Sequence, residues 1–258
     1  MITFYKYQGA GNDFIIIDNR NNSFDGNNTK LIEHLCNRRF GIGGDGLMLL
    51  ENHDLHDFTM RYFNSDGKEA SMCGNGGRCI AAFAVHIGAI KQADCFSFMA
   101  VDGEHHASYK KGIITLKMID VNTITKGKDY TFLDTGSPHH VRFVENTDTI
   151  DVFNEGKTIR YSERYPDGTN VNFVQFIDDK TLRVRTYERG VENETLACGT
   201  GVVASAISAN LITPEVNDFD IQVEGGQLRV FFKVNKEHYT DIWLEGPAKF
   251  VFKGTISL

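Results

Sequence analysis

Downstream of Cys73, apolar side chains fall at Ile80, Phe83, Ala84 and Ile87. This i, i+3, i+4, i+7 spacing predicts a helix face, and Gly88 is placed to stop it. Downstream of Cys198, Val203, Ala206, Ile207 and Leu211 draw a similar stripe, with Pro214 just beyond. Thr29 to Phe40 predicts a further helix. Around these lie short runs rich in β-branched and aromatic residues: Asp13–Asp18, Leu47–Leu50, Phe58–Phe63, Ile113–Met118, Val171–Phe176, Leu182–Tyr187 and Leu228–Val234. Strands interleaved with a few helices predict an α+β fold.

The pattern repeats. A shift of 125 residues lays Cys73-Gly74-Asn75-Gly76 on Cys198-Gly199-Thr200-Gly201. The same shift lays Glu69 on Glu194, Ala81 on Ala206 and Ala84 on Ala209. It also brings Gly11-Asn12 onto Gly136-Ser137 and Phe96-Ser97-Phe98 onto Ile221-Gln222-Val223. One offset serving three separate segments points to internal duplication. The expected organisation is two pseudo-symmetric halves, residues 1–120 with Cys73 and 121–249 with Cys198. The last strand, about 250–258, is expected to pack on the first half. The polar stretch Asp120–Tyr130 marks the boundary.

At 258 residues the chain is long enough for one or two domains. Its 27 Lys+Arg against 34 Asp+Glu leave a formal charge of −7, which excludes a basic nucleic-acid footprint. No apolar run reaches the ~18 residues of a membrane span, and Met1–Gly9 does not read as a secretion signal. The five cysteines form no Cys-x-x-Cys pair, so a cytoplasmic protein with free thiols is expected. No metal site is expected, because Cys and His do not fall at zinc spacings. Gly41-x-Gly43-x-x-Gly46 fits a dinucleotide fingerprint literally. A helix precedes it and a strand follows, the reverse of the required context.

Cys73 and Cys198 each stand where an N-cap residue stands, before small residues that leave backbone N–H groups uncovered. Those groups and the helix dipole favour negative charge, so a thiol there is acidified and a substrate carboxylate can be cradled beside it. Two such turns facing one another could take a proton from one face of a carbon and return it on the other, inverting a stereocentre. Mutual repulsion favours one thiolate and one thiol at rest. Cys36, Cys79 and Cys95 lack this context and read as packing residues.

The chain resembles the diaminopimelate epimerase family. The resemblance rests on Gly9-Ala10-Gly11-Asn12-Asp13-Phe14, Gly41-Ile42-Gly43-Gly44-Asp45, Phe63-Asn64-Ser65-Asp66-Gly67 and Cys73-Gly74-Asn75-Gly76-Gly77-Arg78-Cys79. It continues through Gly136-Ser137-Pro138-His139, Asn170-Val171-Asn172-Phe173, Tyr187-Glu188-Arg189-Gly190 and Ala197-Cys198-Gly199-Thr200-Gly201. The order is the family's, and the set spans essentially the whole chain. The resemblance implies two α+β halves, each a β-barrel-like sheet around a central helix. It implies a cofactor-independent homodimer that interconverts LL- and meso-2,6-diaminopimelate on the route to lysine.

By the same resemblance Cys73 and Cys198 are the acid/base pair, and His139 and Glu188 tune them. Gly74, Asn75, Gly199 and Thr200 hold the reacting carboxylate. Asn12, Asn64, Asn170 and Arg189 hold the distal end, where a planar guanidinium can grip a carboxylate bidentately. Glu188 pairs with the reacting ammonium, and Ser137 lines the pocket. The chain departs from the family at two places: Gly46 replaces a Gln and Ser137 replaces an Asn. Water or a neighbouring side chain is expected to fill the space at Gly46. Other expectations open to the same frame are a proline-type racemase and a non-catalytic amino-acid binder.

Overall fold

The computed structural model describes residues 1–91 and 94–257. The first part of the chain runs β1 (Ile2–Gly9), β2 (Asn12–Asp18), α1 (Thr29–Cys36), β3 (Gly46–Glu51), β4 (Phe58–Asn64), β5 (Glu69–Ala70), α2 (Gly74–His86), β6 (Phe96–Ala100), β7 (Gly103–Lys110) and β8 (Ile113–Lys117). It continues through β9 (Ile124–Lys126), β10 (Thr131–Asp134), β11 (Pro138–Phe143), α3 (Val152–Arg160), β12 (Asn170–Phe176), β13 (Thr181–Glu188) and β14 (Asn193–Thr195). The last elements are α4 (Gly199–Asn210), β15 (Asp218–Val223), β16 (Gly226–Asn235), β17 (His238–Pro247) and β18 (Lys249–Ile256). Two compact units result, one from Met1–Leu116 with Gly246–Leu258 and one from Lys117–Glu245.

In the first unit, α2 packs against β1, β2, β3, β7 and β18. Its residues are buried continuously from Gly74 to Ala84. A helix buried on all sides must be enclosed rather than laid on a face. Pairing alternates in sense: β1–β2 antiparallel, β2–β3 parallel, β3–β4 antiparallel and β4–β6 parallel. A satellite core of Ile15, Ile17, Leu47, Leu49 and Phe63 packs with Ile32, Leu35 and Cys36 of α1. That helix stops at Cys36, short of the expected Phe40. Asn37 is in the extended region, and its amide oxygen accepts from the N–H groups of Arg39 and Phe40.

The second unit repeats this plan around α4, which touches β10, β11, β12, β13, β15 and β16. The senses match in order: β10–β11 antiparallel, β11–β12 parallel, β12–β13 antiparallel and β13–β15 parallel. The 125-residue shift carries α1 onto α3, α2 onto α4, and β9 onto β18. Strand β9 pairs with β10 as β18 pairs with β1, both antiparallel. The duplication is therefore one of topology as well as of sequence. Helix α3 is absent from the hydrophobic pattern because few of its residues are buried.

No helix among the described residues is long and apolar enough to cross a membrane. Cys36 and Cys79 are buried as expected, whereas Cys95 is exposed, contrary to the packing role expected of it. Burial pushes the Cys36 thiol up to about 12 and pushes Cys79 up as well. Neither is poised to ionise near neutral pH.

Candidate active site

Each unit carries one cysteine at the head of its enclosed helix. Cys73 is the N-cap of α2, with φ −101° and ψ 149°, and its Sγ accepts from the Gly76 N–H at 3.2 Å. Cys198 occupies the same place on α4, with φ −116° and ψ 110°, but its sulfur receives no capping N–H. The two heads are built alike and hydrogen-bonded differently.

Around Cys73, Asn12 and Asn75 are tied together. The Asn75 Nδ2 donates to Asn12 Oδ1, and Asn75 Oδ1 accepts from Arg78 Nη2 at 2.8 Å. The Asn12 Nδ2 donates to Asp45 Oδ2 at 3.0 Å, which fixes which way the Asn12 amide points. Asp45 also accepts from the Asp13 N–H at 3.2 Å and from Arg38 at 2.7 Å. Lys6 closes the cluster on Asp13 at 2.8 Å. Burial works against the Asp13 charge, but hydrogen bonds from Arg38 and Lys6 outweigh it and hold the carboxyl at about 2.

Asn64 is exposed at the end of β4, opposite Gly46 in register, and Met48 lies opposite Tyr62. Tyr62, two residues before Asn64, points to the same face. A Cβ added to Gly46 would lie 2.5 Å from the Phe63 carbonyl oxygen and 2.6 Å from Tyr62 Cε2, with the Tyr62 hydroxyl 3.1 Å away. The space beside Gly46 is thus filled by a neighbour: the tyrosine ring.

In the second unit Cys198 heads a chain of contacts. Its Sγ lies 3.4 Å from Thr200 Oγ1, which lies 2.9 Å from His139 Nε2. On the other side of the ring Nδ1 is 2.8 Å from Asn172 Oδ1, and Asn172 Nδ2 donates to Thr186 Oγ1 at 2.8 Å. An amide oxygen only accepts, so Nδ1 carries the proton and Nε2 accepts from Thr200. The Thr200 hydroxyl proton is then committed to His139, and its oxygen is left to accept from the Cys198 thiol. Burial pushes His139 down to about 4, against the opposing pull of the Asn172 hydrogen bond, so the imidazole is neutral at physiological pH. Gly201 lets this happen: any Cβ there would run into the Asn172 amide, and would lie 3.1 Å from His139 Cε1.

The rest of the expected set gathers at the ends of β11, β12 and β13. Asn170 Nδ2 donates to Ser137 Oγ at 2.8 Å, and Asn170 Oδ1 accepts from the Arg189 N–H at 2.8 Å. Arg189 Nη1 donates to the Asp167 carbonyl at 3.2 Å. Glu188 Oε2 accepts from Thr195 Oγ1 at 2.9 Å.

The residues therefore fall into two sets. Asn12, Asn64, Cys73, Gly74 and Asn75 belong to the first unit. Ser137, His139, Asn170, Glu188, Arg189, Cys198, Gly199 and Thr200 belong to the second. Residue-by-residue reading missed Asp45, Asn172 and Thr186. Asn172 was within reach of it, because it lies two residues from Asn170 on one strand and so shares its face.

Solved structures define the class by fold. The chain aligns over 100% of its length with 99% of a Bacillus anthracis protein of the phenazine biosynthesis PhzF family, at TM-score 0.79 and 12% identity. It aligns with 93% of a probable proline racemase from Agrobacterium radiobacter at TM-score 0.72 and 12% identity. At such identities the likeness is one of paired helix-in-sheet modules.

A family model described as diaminopimelate epimerase matches residues 4–121 and 131–251. A diaminopimelate epimerase of Flavobacterium psychrophilum is 51% identical over 255 residues, covering 98% of this chain and 99% of that one. One from Chlorobaculum tepidum is 42% identical, covering 97% and 99%. The chain belongs to the diaminopimelate epimerase family, and is an isomerase.

Proposed function

We propose that the chain interconverts LL- and meso-2,6-diaminopimelate in lysine biosynthesis, without a cofactor, using Cys73 and Cys198 as base and acid. The observation that carries this reading is the pair of N-cap cysteines at the heads of the duplicated helices α2 and α4. A thiolate at a helix head is stabilised by the dipole and uncovered N–H groups. The N–H groups of Gly74, Asn75, Gly199 and Thr200 stabilise the reacting carboxylate, whose charge grows when the α-proton leaves. One cysteine removes that proton and the other delivers one to the opposite face, and the roles exchange with the isomer bound.

Asn12, Asn64, Asn170 and Arg189 hold the distal amino-acid end, with Ser137 orienting Asn170. Glu188 pairs with the reacting ammonium, and His139 acts on Cys198 through Thr200. The protein works as a cytoplasmic homodimer, a state that light scattering would read directly.

The test is exchange of the α-hydrogen in deuterated water with LL-diaminopimelate. Wild type should incorporate deuterium and produce the meso isomer, whereas Cys73→Ala and Cys198→Ala should not epimerise. Epimerisation at the wild-type rate by either variant would sink the two-thiol reading. A proline-type racemase would exchange proline and ignore diaminopimelate, and a binder would exchange neither.

A further inference from the structure

Arg78 is completely buried on α2, at 0% exposure, and has no part in the proton transfers proposed for Cys73 and Cys198. A buried charge normally has an opposite charge beside it, because desolvating an unpaired ion is expensive. Among the described residues no carboxylate pairs with Arg78. Its Nη1 donates to the Gly74 carbonyl at 3.2 Å and its Nη2 to Asn75 Oδ1 at 2.8 Å, while Nε has no partner. Burial pulls its pKa down, opposed by the thiols of Cys79 and Cys73. Guanidinium keeps its proton in proteins all the same, since it starts above ~12.

The other charged groups on the strands around α2 are matched or, like Lys110 and Lys249, exposed to solvent. Lys6 pairs with Asp13, His105 with Asp102 and His106 with Glu104. Asp18 holds Arg20 and Glu51 holds Asn19, while Lys253 lies over the Tyr5 ring. On α2 itself, His86 contacts the Tyr7 hydroxyl through Nδ1. Among the described residues around α2, Arg78 is the fully buried cation without an anion, about one helical turn from the head of the helix.

The second unit differs at this point. The shift that lays Cys73 on Cys198 lays Arg78 on Val203, a buried aliphatic residue. Cys73 also receives the Gly76 N–H, whereas Cys198 faces a Thr200 oxygen whose proton is committed to His139. One head is dressed for an anion and the other for a thiol.

We infer that Arg78 is the fixed counter-charge of the Cys73 thiolate, which makes Cys73 the resting base and Cys198 the resting acid. Arg78 is a positioning residue: it acts through the first turn of α2 and through Cys73. The inference rests on the two-thiol reading for its catalytic meaning, but the protonation states can be measured without turnover.

The experiment is alkylation by iodoacetamide across a pH series, with each cysteine read separately by peptide mass spectrometry. In wild type the Cys73 midpoint should lie below that of Cys198. Arg78→Met should cut the thiolate fraction of Cys73 at neutral pH by about tenfold or more, a full unit of pKa, and leave the Cys198 midpoint in place. Arg78→Lys keeps the charge but loses the fork, and should retain a low Cys73 midpoint.

A folded Arg78→Met variant with an unmoved Cys73 midpoint overturns the inference. If that variant does not fold, the other two measurements decide. A wild-type Cys73 midpoint at or above that of Cys198, or a Lys variant in which Cys73 titrates like an ordinary thiol, overturns it. Epimerisation at the wild-type rate in Cys73→Ala would remove the catalytic reading and leave these midpoints standing.

Discussion

The Thr200 hydroxyl sits 2.9 Å from Nε2 of His139, and this contact decides where its proton points. Thr200→Val keeps the shape of the side chain but removes the link between ring and sulfur. The epimerisation rate should fall on the order of tenfold, as for a one-unit change in thiol pKa, with its pH profile displaced. KM should change little, because the backbone N–H that serves the carboxylate survives. Thr200→Ser should restore most of the rate. Steady-state kinetics across pH separates this from a packing defect, which serine and valine would share.

Gly46 and Tyr62 are an either/or pair. Gly46→Gln forces its Cβ against Tyr62 Cε2 and the Phe63 carbonyl, and overpacking of this kind costs about 1–3 kcal/mol. Urea unfolding should show that loss. Adding Tyr62→Ala should recover part of it, giving less total destabilisation than the sum of the single changes. Strict additivity would show that the two side chains do not compete for the space.

Asp45 acts on the site through Asn12. Its ion pair with Arg38 is a surface pair, with the arginine side chain 58% exposed, and contributes little to stability. Its hydrogen bond to Asn12 Nδ2 does more, by fixing the amide orientation. Asp45→Ala, which removes the acceptor, should therefore raise KM several-fold while leaving kcat and the melting temperature close to wild type. A large fall in melting temperature with unchanged KM would contradict this assignment.

Stability should depend on pH through two buried histidines. Burial holds both His139 and His140 down at about 4 in the folded chain, from an ordinary 6.5. Between those values the unfolded chain binds protons that the folded chain refuses. Stability is therefore lost as pH falls through that window, by up to about 1.4 kcal/mol per pH unit for each histidine. Asp13, lowered from 3.8 to about 2 in the folded chain, adds to the loss only toward the acid end of that window. Denaturation at a series of pH values checks the slope, and His140→Phe should remove roughly half of it.

Features carried by local pattern were legible in the chain. The Cys-Gly-x-Gly turns, the helical stripes behind them and the 125-residue offset all foretold enclosed helices at Cys73 and Cys198. Features decided by contacts between distant segments were not. The end of α1 depended on the Asn37 side chain turning back on the following N–H groups. Helix α3 showed too narrow an apolar stripe, although the offset from α1 pointed to it. Asp45 beneath Asn12, and Asn172 beneath His139, are pairings 33 residues apart that only the folded sheets reveal. Arg78 read as one letter of a motif until its burial without a carboxylate was seen.

Strand β18 closes on β1, joining Ile2 to Ile256 in register. On the ribosome β1 emerges well before β18, with the whole second unit between them. The unit that holds β1 is thus the later of the two to be finished, while the unit encoded between β1 and β18 can be completed from contiguous chain. Until the tail arrives, the outer edge of β1 is an unsatisfied row of amides, open to wrong pairings. A ribosome stalled before β18 should hold a finished Cys198 module and an unfinished Cys73 one.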